Sequence, residues 1–193
     1  MKRNNPEYRY YFYDDNDIQK FITEEFPPEY IENYNKLTIG AAKADFFRYA
    51  ILYKKGGIYL DIDSAMTRPL RSLIKEKDSA VISVERHPGL YVQWALIFEK
   101  GHPFLKKTLE LMLDNIKTHR YPNNIHATTG PTVFSKGIRE ALQENPNIPY
   151  TLFNGVEFRG FLQFKYKLGK FFLYEKRADH WKQKQFRQAI IQE

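Results

Sequence analysis

The chain has 193 residues, of which 42% are hydrophobic and 27% are charged, as in a globular protein with one core. Wholesale disorder and a fibrous repeat are excluded. Lys and Arg outnumber Asp and Glu by 30 to 23, so the net charge of +7 favours polyanions, anionic lipid surfaces or phosphorylated small molecules as partners. The absence of cysteine excludes disulfides, thiolate metal sites and a cysteine nucleophile.

The sequence contains no recognisable targeting or membrane segment. Residues 1–13 lack the apolar core of a signal peptide, and no stretch approaches the about 20 apolar residues of a membrane span. We therefore expect a cytoplasmic protein, and the length predicts a single domain over residues 1–193.

The first part of the chain alternates predicted strands and helices. The aromatic segment Arg9–Tyr13 predicts a strand, and acidic residues then lead into a helix over Ile18–Phe26 that Pro27-Pro28 ends. Apolar residues at i, i+3 and i+4, with Tyr49 among them, predict a long helix from about Thr38 to Lys55, which Gly56-Gly57 ends.

The remaining elements continue this alternation, which is an α/β pattern. Strands are predicted over Ile58–Asp63, Ala80–Val84 and Tyr91–Phe98, near Tyr150–Phe153 and near Phe171–Tyr174. Helices are predicted over Leu70–Lys75, over Phe104–Lys117 and from Thr129-Gly130-Pro131 to about Glu144.

Two carboxylates mark the strand that follows the double glycine. Residues two apart on a strand face the same side, so Asp61 and Asp63 are predicted to lie together, with Tyr59 before them. Leu60 and Ile62 would then face the core. Adjacent carboxylates repel one another, and a divalent cation that also binds phosphate oxygens relieves this repulsion. The pattern predicts a metal and diphosphate site; for an isolated Asp-x-Asp, a surface pair at a strand end is the more common interpretation.

Asp45 and Arg48 lie three residues apart on the long helix, opposite its apolar stripe. A solvent-exposed ion pair is one interpretation. The double glycine leads from this helix directly into the acidic strand, so the pair can instead fold back near Asp61 and Asp63. A guanidinium and a carboxylate there would hold phosphate and sugar hydroxyls.

The run from Lys43 to Asp63 resembles the signature of the DXD-containing glycosyltransferases, because the helix motif, the double glycine and the acidic strand follow in the family's order and spacing. This family, glycosyltransferase family 32-like, includes yeast initiating α-1,6-mannosyltransferases, bacterial capsular polysaccharide glycosyltransferases and, more distantly, the glucosylating domain of large clostridial toxins. The resemblance implies a GT-A-type, Rossmann-like, nucleotide-sugar-binding fold with a mixed sheet. It also implies a nucleotide-sugar donor, Mn²⁺ or Mg²⁺, and retention of anomeric configuration.

The resemblance also implies roles for individual residues. Asp45 and Arg48 would contact the donor sugar, Tyr59 the donor sugar or phosphate, and Asp61 and Asp63 the metal and diphosphate. Gln93 lies near a family position where Asn is common, and we assign it to substrate binding.

Further candidates come from the later part of the chain. Thr129 and Gly130 open a predicted helix whose free N–H groups can meet a phosphate, although a plain Thr cap explains the same residues. His180, beside Trp181, is a candidate metal ligand or phosphate contact, and an exposed tail residue is the alternative interpretation.

Two features bear on activity and location. Family members usually begin with an earlier strand that helps to hold the nucleobase, and this sequence starts after that point, so we expect weak nucleobase binding. The segment from about residue 165 mixes basic and aromatic residues, a composition typical of both single-stranded nucleic-acid grooves and membrane-surface helices. A solvated basic face is the plain alternative.

The resulting hypothesis is a metal-dependent retaining glycosyltransferase of polysaccharide biosynthesis, such as that of capsule. It would move a hexose from a UDP- or GDP-hexose to a glycan or lipid-linked glycan, in the cytoplasm or at the cytoplasmic membrane face, and nucleic acid is not expected as a partner. The residues assigned to catalysis are Asp45, Arg48, Asp61 and Asp63. The alternatives are a non-catalytic sugar- or nucleotide-binding remnant and a basic module that binds nucleic acid or membrane.

Overall fold

The structure is a computed structural model that describes residues 4–164 and 187–192. Helices alternate with short strands, which confirms the predicted α/β class. The helices are α1 Asp15–Glu25, α2 Pro28–Lys36, α3 Gly40–Lys55, α4 Pro103–Lys117, α5 Ile125–Thr128 and α6 Pro131–Glu144. The strands are β1 Gly57–Leu60, β2 Ser64–Met66, β3 Ala80–Ser83, β4 Ala95–Phe98, β5 Thr151–Phe153 and β6 Leu162–Phe164.

The main sheet is mixed and has the order β1-β4-β3-β5. β4 runs antiparallel to both β1 and β3, whereas β5 runs parallel to β3. β2 and β6 form a separate antiparallel pair. The mixed sheet that the resemblance implied is therefore confirmed.

The two central strands, β3 and β4, are buried on both faces. Because neighbouring residues of a strand point to opposite sides, Ile82 and Leu96 join a large core built with the helices, whereas Val81 and Ile97 join a smaller cluster. This burial anchors the edge strand β1, which leads into the acidic motif.

Helix α3 is fixed at both ends. At its end Gly56 has φ 67°, and a Cβ there would lie 2.7 Å from the backbone nitrogen of Lys100, so only glycine fits between the helix and β1. Before its start, the backbone N–H of Thr38 donates to the Ile190 carbonyl at 2.9 Å, and Ile190 and Ile191 are buried in the core. The helix is therefore held in one place relative to the sheet.

Several predicted elements are corrected by the structure. Arg9–Tyr13 forms no strand, since its backbone finds no ladder partner among the described residues; Tyr11 and Phe12 are exposed, and Tyr13 packs against Phe47. The prolines end α1 as predicted, but Pro28 also begins α2, because its fixed φ suits the first position of a helix.

Other differences are shorter or additional elements. The predicted helix Leu70–Lys75 is a single 3₁₀ turn over Leu70–Ser72, because the N–H of Lys75 donates to Asp78 at 2.8 Å and starts another turn. The strand predicted from Tyr91 begins at Ala95; Tyr91 itself forms an isolated antiparallel bridge with Val84, and its N–H donates to the Ser135 hydroxyl at 2.9 Å. α5 and β6 were not predicted.

Some predictions fall on residues that are not described. These are the strand near Phe171–Tyr174, His180 with Trp181, and nearly all of the basic aromatic segment. Within the described ranges, no helix combines the length and the hydrophobicity that crossing a bilayer requires.

Candidate functional site

Arg48 is the centre of a buried polar cluster that joins α3 to the chain after β1. Its Nη2 lies 3.2 Å from Asp45 Oδ1 and 3.3 Å from Asp61 Oδ1, and its Nη1 donates to the Gln93 carbonyl at 2.9 Å. The guanidinium carbon also lies 4.7 Å from the centre of the Tyr59 ring. With only 6% of Arg48 exposed, the solvent-exposed ion pair is the wrong interpretation, and the pair faces inward.

The charge state of Arg48 follows from these neighbours. Burial alone would lower its pKa, but the carboxylates of Asp61 and Asp45 outweigh burial and raise that pKa above its usual value. The cluster therefore contains a permanent cation between two carboxyl groups.

Asp45 is 3% exposed and accepts hydrogen bonds at both oxygens. Its Oδ1, which forms the ion pair with Arg48, accepts from Gln93 Nε2 at 3.1 Å, and its Oδ2 accepts from the Thr129 hydroxyl at 3.1 Å. Burial raises the pKa of Asp45 to about 7, against the lowering effects of Arg48, Thr129 and Gln93, and the charge of Asp61 adds to the increase.

Asp61 lies in the turn that follows β1. Its N–H donates to the Trp94 carbonyl at 2.8 Å, and its own carbonyl accepts from the N–H and the hydroxyl of Ser64 at 3.0 and 2.6 Å. Its Oδ1 accepts from the Tyr59 hydroxyl at 2.9 Å. Burial raises the pKa of Asp61, Arg48 and the Tyr59 hydrogen bond lower it, and the charge of Asp63 raises it further.

The predicted strand through Asp63 is wrong. The ladder with β4 ends where Leu60 pairs with Ala95, since the bonds from Ser64 close a turn over residues 61–63. Ile62 is consequently 77% exposed and does not face the core. The turn, and not strand alternation, places Asp63 where its charge affects Asp61.

Asp63 is the more accessible member of the carboxylate pair. It is half-buried, and within residues 4–164 and 187–192 no group donates a hydrogen bond to its carboxylate or forms an ion pair with it. Carboxylate oxygens are the ligands that Mn²⁺ and Mg²⁺ prefer, so Asp61 and Asp63 fit such an ion. The described residues include no cluster of three or more His, Cys, Asp or Glu side chains around one point.

Gln93 and Thr129 both belong to this cluster. The amide of Gln93 lies between Asp45 and Tyr49, whose buried hydroxyl donates to Gln93 Oε1 at 2.7 Å. Sequence reasoning placed Tyr49 only in the apolar stripe of the helix; the available signal was that a buried tyrosine hydroxyl needs a hydrogen-bond partner.

The start of α6 differs from the plain Thr cap. The N-cap is Gly130, with no side-chain cap, and the Thr129 hydroxyl donates to Asp45 instead. The N–H of Gly130 donates to the Ile125 carbonyl at 2.9 Å and is therefore engaged within the protein. Of the predicted site residues described, Asp45, Arg48, Tyr59, Asp61, Gln93 and Thr129 form one connected network.

A known protein family matches the part of the chain that contains Asp45, Arg48, Tyr59 and Asp61. Residues 1–80 match the family model described as "Glycosyltransferase sugar-binding region containing DXD motif", a region that contains the helix motif and both aspartates of the turn. Residues 1–80 therefore carry the sugar-binding region of this DXD-motif glycosyltransferase family. The recognition made from residues 43–63 is thereby confirmed.

Named relatives of this chain are mannosyltransferases. An "Initiation-specific alpha-1,6-mannosyltransferase" of Candida albicans is 26% identical over 149 residues, covering 65% of this chain and 39% of the relative. An "Inositol phosphoceramide mannosyltransferase 3" of Schizosaccharomyces pombe is 30% identical over 131 residues, covering 67% of this chain and 36% of the relative. The chain thus spans under half the length of these relatives.

A solved structure is also similar. The "PaToxG Glycosyltransferase" has 27% sequence identity and a TM-score of 0.49, covering 69% of this chain and 45% of that chain.

Proposed function

We propose that this chain is the donor-binding part of a metal-dependent retaining glycosyltransferase that transfers a hexose from a nucleotide sugar. The observation that carries the proposal is the contact of Arg48 with both Asp45 and Asp61, which joins the family's helix motif to its DXD turn at 3.2 and 3.3 Å. We extend the proposal to one GT-A-type domain over residues 1–193.

Asp61 and Asp63 would hold the divalent ion. When bound, Mn²⁺ or Mg²⁺ would neutralise the charge that develops on the diphosphate as it leaves. Asp61 Oδ1 is already held by Arg48 and the Tyr59 hydroxyl, so the carboxylate is fixed in orientation before any ligand arrives. Asp63 supplies a second carboxylate beside it.

Asp45, Arg48 and Tyr59 would contact the donor sugar and its phosphate. In a retaining transfer, the bond between the anomeric carbon and the phosphate oxygen breaks, and the acceptor hydroxyl bonds to the same face of that carbon. The proton of the hydroxyl passes to the departing diphosphate. This chain's residues position the sugar and stabilise charge, and no nucleophilic side chain is assigned.

The names of the relatives support a choice of first substrates. Because both are called mannosyltransferases, GDP-mannose is the first donor to test, and UDP-glucose is the second. One name includes inositol phosphoceramide, which is a lipid, and this supports an acceptor attached to a lipid. The proposed acceptor is a glycan or a lipid-linked glycan. A lipid-linked acceptor would bring the protein to a membrane face.

Donor hydrolysis tests the proposal. We expect wild-type protein to hydrolyse one of the two nucleotide sugars slowly with Mn²⁺ and not with EDTA. Asp63→Asn should abolish this activity, whereas Asp114→Asn, a surface carboxylate on α4, should retain it. Binding of Mn²⁺ and GDP without hydrolysis would favour a non-catalytic remnant, and absence of any nucleotide binding would contradict the proposal.

A further inference from the structure

We propose that Gln93 and Thr129 are positioning residues that hold Asp45, instead of being contacts to the substrate. The proposal rests on the function above, in which Asp45 meets the donor sugar. It assigns each of the two side chains to one oxygen of the same buried carboxylate.

Both the oxygen and the nitrogen of the Gln93 side-chain amide form hydrogen bonds within the protein. Its Oε1 accepts from the Tyr49 hydroxyl at 2.7 Å, which turns Nε2 towards Asp45 Oδ1 at 3.1 Å. Tyr49 is fully buried and its ring stacks on Phe134, with the centroids 5.3 Å apart, so the anchor of the amide is rigid. The amide orientation is therefore determined by the protein before a ligand binds.

The backbone of Gln93 is part of the same arrangement. Its carbonyl accepts from Arg48 Nη1 at 2.9 Å, so one residue positions the guanidinium with its main chain and the carboxylate with its side chain. A side chain shorter by one methylene would place its amide farther from both Asp45 and Tyr49, so Gln93→Asn is expected to weaken these two contacts.

Thr129 supplies the contact to the other oxygen. Its side chain is fully buried, its N–H donates to the Ile125 carbonyl at 3.0 Å, and its hydroxyl donates to Asp45 Oδ2 at 3.1 Å. The residue lies at the junction of α5 and α6, so the carboxylate on α3 is held from a different part of the fold.

These contacts leave Asp45 with limited capacity for a ligand. A carboxylate has about four acceptor positions, two on each oxygen. Gln93 donates to Oδ1, where Arg48 also forms its ion pair, and Thr129 donates to Oδ2, so Oδ2 keeps an acceptor position for a sugar hydroxyl. The positioning residues therefore determine which oxygen meets the substrate and from which direction.

The experiment compares Gln93→Asn and Thr129→Val with Thr128→Val. Thr128 is a matched control, because its buried hydroxyl donates to the Tyr121 and Asn124 carbonyls at 2.9 Å and does not touch Asp45. The first measurement needs no ligand: the ¹³C carboxyl resonance of Asp45 is followed by NMR through a pH titration. The second is calorimetric affinity for GDP-mannose and for GDP, each with Mn²⁺.

We expect Gln93→Asn and Thr129→Val to displace the Asp45 carboxyl resonance, whereas Thr128→Val leaves it in place. Both should weaken GDP-mannose about tenfold, as expected for one lost hydrogen bond to a charged group, and leave GDP within about twofold. Thr129→Ser, which keeps the hydroxyl, should restore wild-type values.

Two results would overturn the proposal: an unchanged Asp45 resonance in both variants, or equal losses for GDP-mannose and GDP. The proposed function fails separately. If wild-type protein binds neither nucleotide while the resonance still responds to the two variants, the positioning of Asp45 stands and the glycosyltransferase assignment falls.

Discussion

Arg48 on α3 approaches Asp61 in the turn after β1, with Nη2 and Oδ1 3.3 Å apart. The two residues are separated along the chain by the end of the helix, the double glycine and a complete strand. Their contact requires Gly56, which alone fits beside the Lys100 backbone as the chain reverses. The surface of α3 and the turn after β1 thus form one site because the backbone conformation of Gly56 reverses the chain between them.

Removing the side chain of Arg48 should destabilise the protein strongly. Arg48→Ala leaves the buried Asp45 and the partly exposed Asp61 without their cation, and breaking a buried ion pair such as Arg48–Asp45 costs about 3–5 kcal/mol. The loss should appear at pH 8, where the carboxylates are ionised, and shrink at acidic pH, since protonation removes the uncompensated charge. Urea unfolding at the two pH values measures it.

Arg71→Ala is the control for this measurement. Arg71 pairs with Glu7 at 3.2 Å on the surface, and exposed pairs contribute about 0–1 kcal/mol. If Arg48→Ala and Arg71→Ala cost the same, the cluster around Arg48 would not contribute to stability in the way its burial indicates.

Asp63→Asn should separate metal binding from folding. No described residue bonds to the Asp63 carboxylate, so the free energy of unfolding should change by less than about 0.5 kcal/mol. Because the charge of Asp63 raises the pKa of Asp61, the substitution should lower that pKa in metal-free protein. Carboxyl NMR titration checks the direction, and an increase would show that the two groups do not interact as described.

The sequence predicted the elements whose patterns are local. The apolar stripe of α3 and the first-turn proline of α4 gave those helices nearly to the residue, because helix periodicity and the fixed φ of proline are properties of adjacent residues. The clustering of Asp45, Arg48 and Asp61 was also foreseen, since a glycine pair leaves little freedom between helix and strand.

The details that failed depend on hydrogen bonds that sequence periodicity does not show, one of them short-range and one between distant parts of the chain. Asp61 leaves the strand because Ser64 bonds to its carbonyl, a competition between turn and ladder that alternation cannot show. Thr129 looked like a helix cap, yet its hydroxyl reaches Asp45, 84 positions away in sequence. Such contacts are set by tertiary packing, which outweighs local preferences.

His102 should make stability depend on pH below neutrality. Its ring accepts from the Phe104 N–H at 3.2 Å as the N-cap of α4, and burial lowers its pKa, against the raising effects of the Pro149 carbonyl and Glu99. Since the unfolded chain takes up a proton near pH 6.5 while the folded chain does not, stability should fall as the pH drops through this value.

The variant His102→Asn isolates this effect. Asn is a good N-cap residue but does not titrate, so the variant should be less stable overall, having lost its ring contacts, and should lack the part of the pH dependence that His102 causes. Chemical unfolding of both proteins across the acidic range tests it. Parallel curves would show that His102 does not titrate differently in the two states.

Asp45 should make stability depend on pH in the direction opposite to that of His102. Its pKa rises from 3.8 to about 7 on folding, so between these values the folded protein keeps a proton that the unfolded chain has released. The folded state then binds more protons, and stability decreases as the pH rises through this window, with the full penalty present above it. Below the lower value both states are protonated, and the contribution vanishes.

Comparison with Asp45→Asn should reveal this contribution alone. Asn is close to isosteric with Asp: its oxygen can accept from Arg48 and Gln93, and its amide nitrogen can donate to the Thr129 hydroxyl, so the variant should fold. The stability of wild type minus that of the variant should fall by more than about 1 kcal/mol between acidic and neutral pH, since one pKa unit corresponds to about 1.4 kcal/mol. Urea unfolding at several pH values measures this difference. A difference that is constant, or that increases with pH, would mean that Arg48 and the two hydrogen bonds compensate the burial of the charge, and that Asp45 is fully ionised in the folded protein at neutral pH.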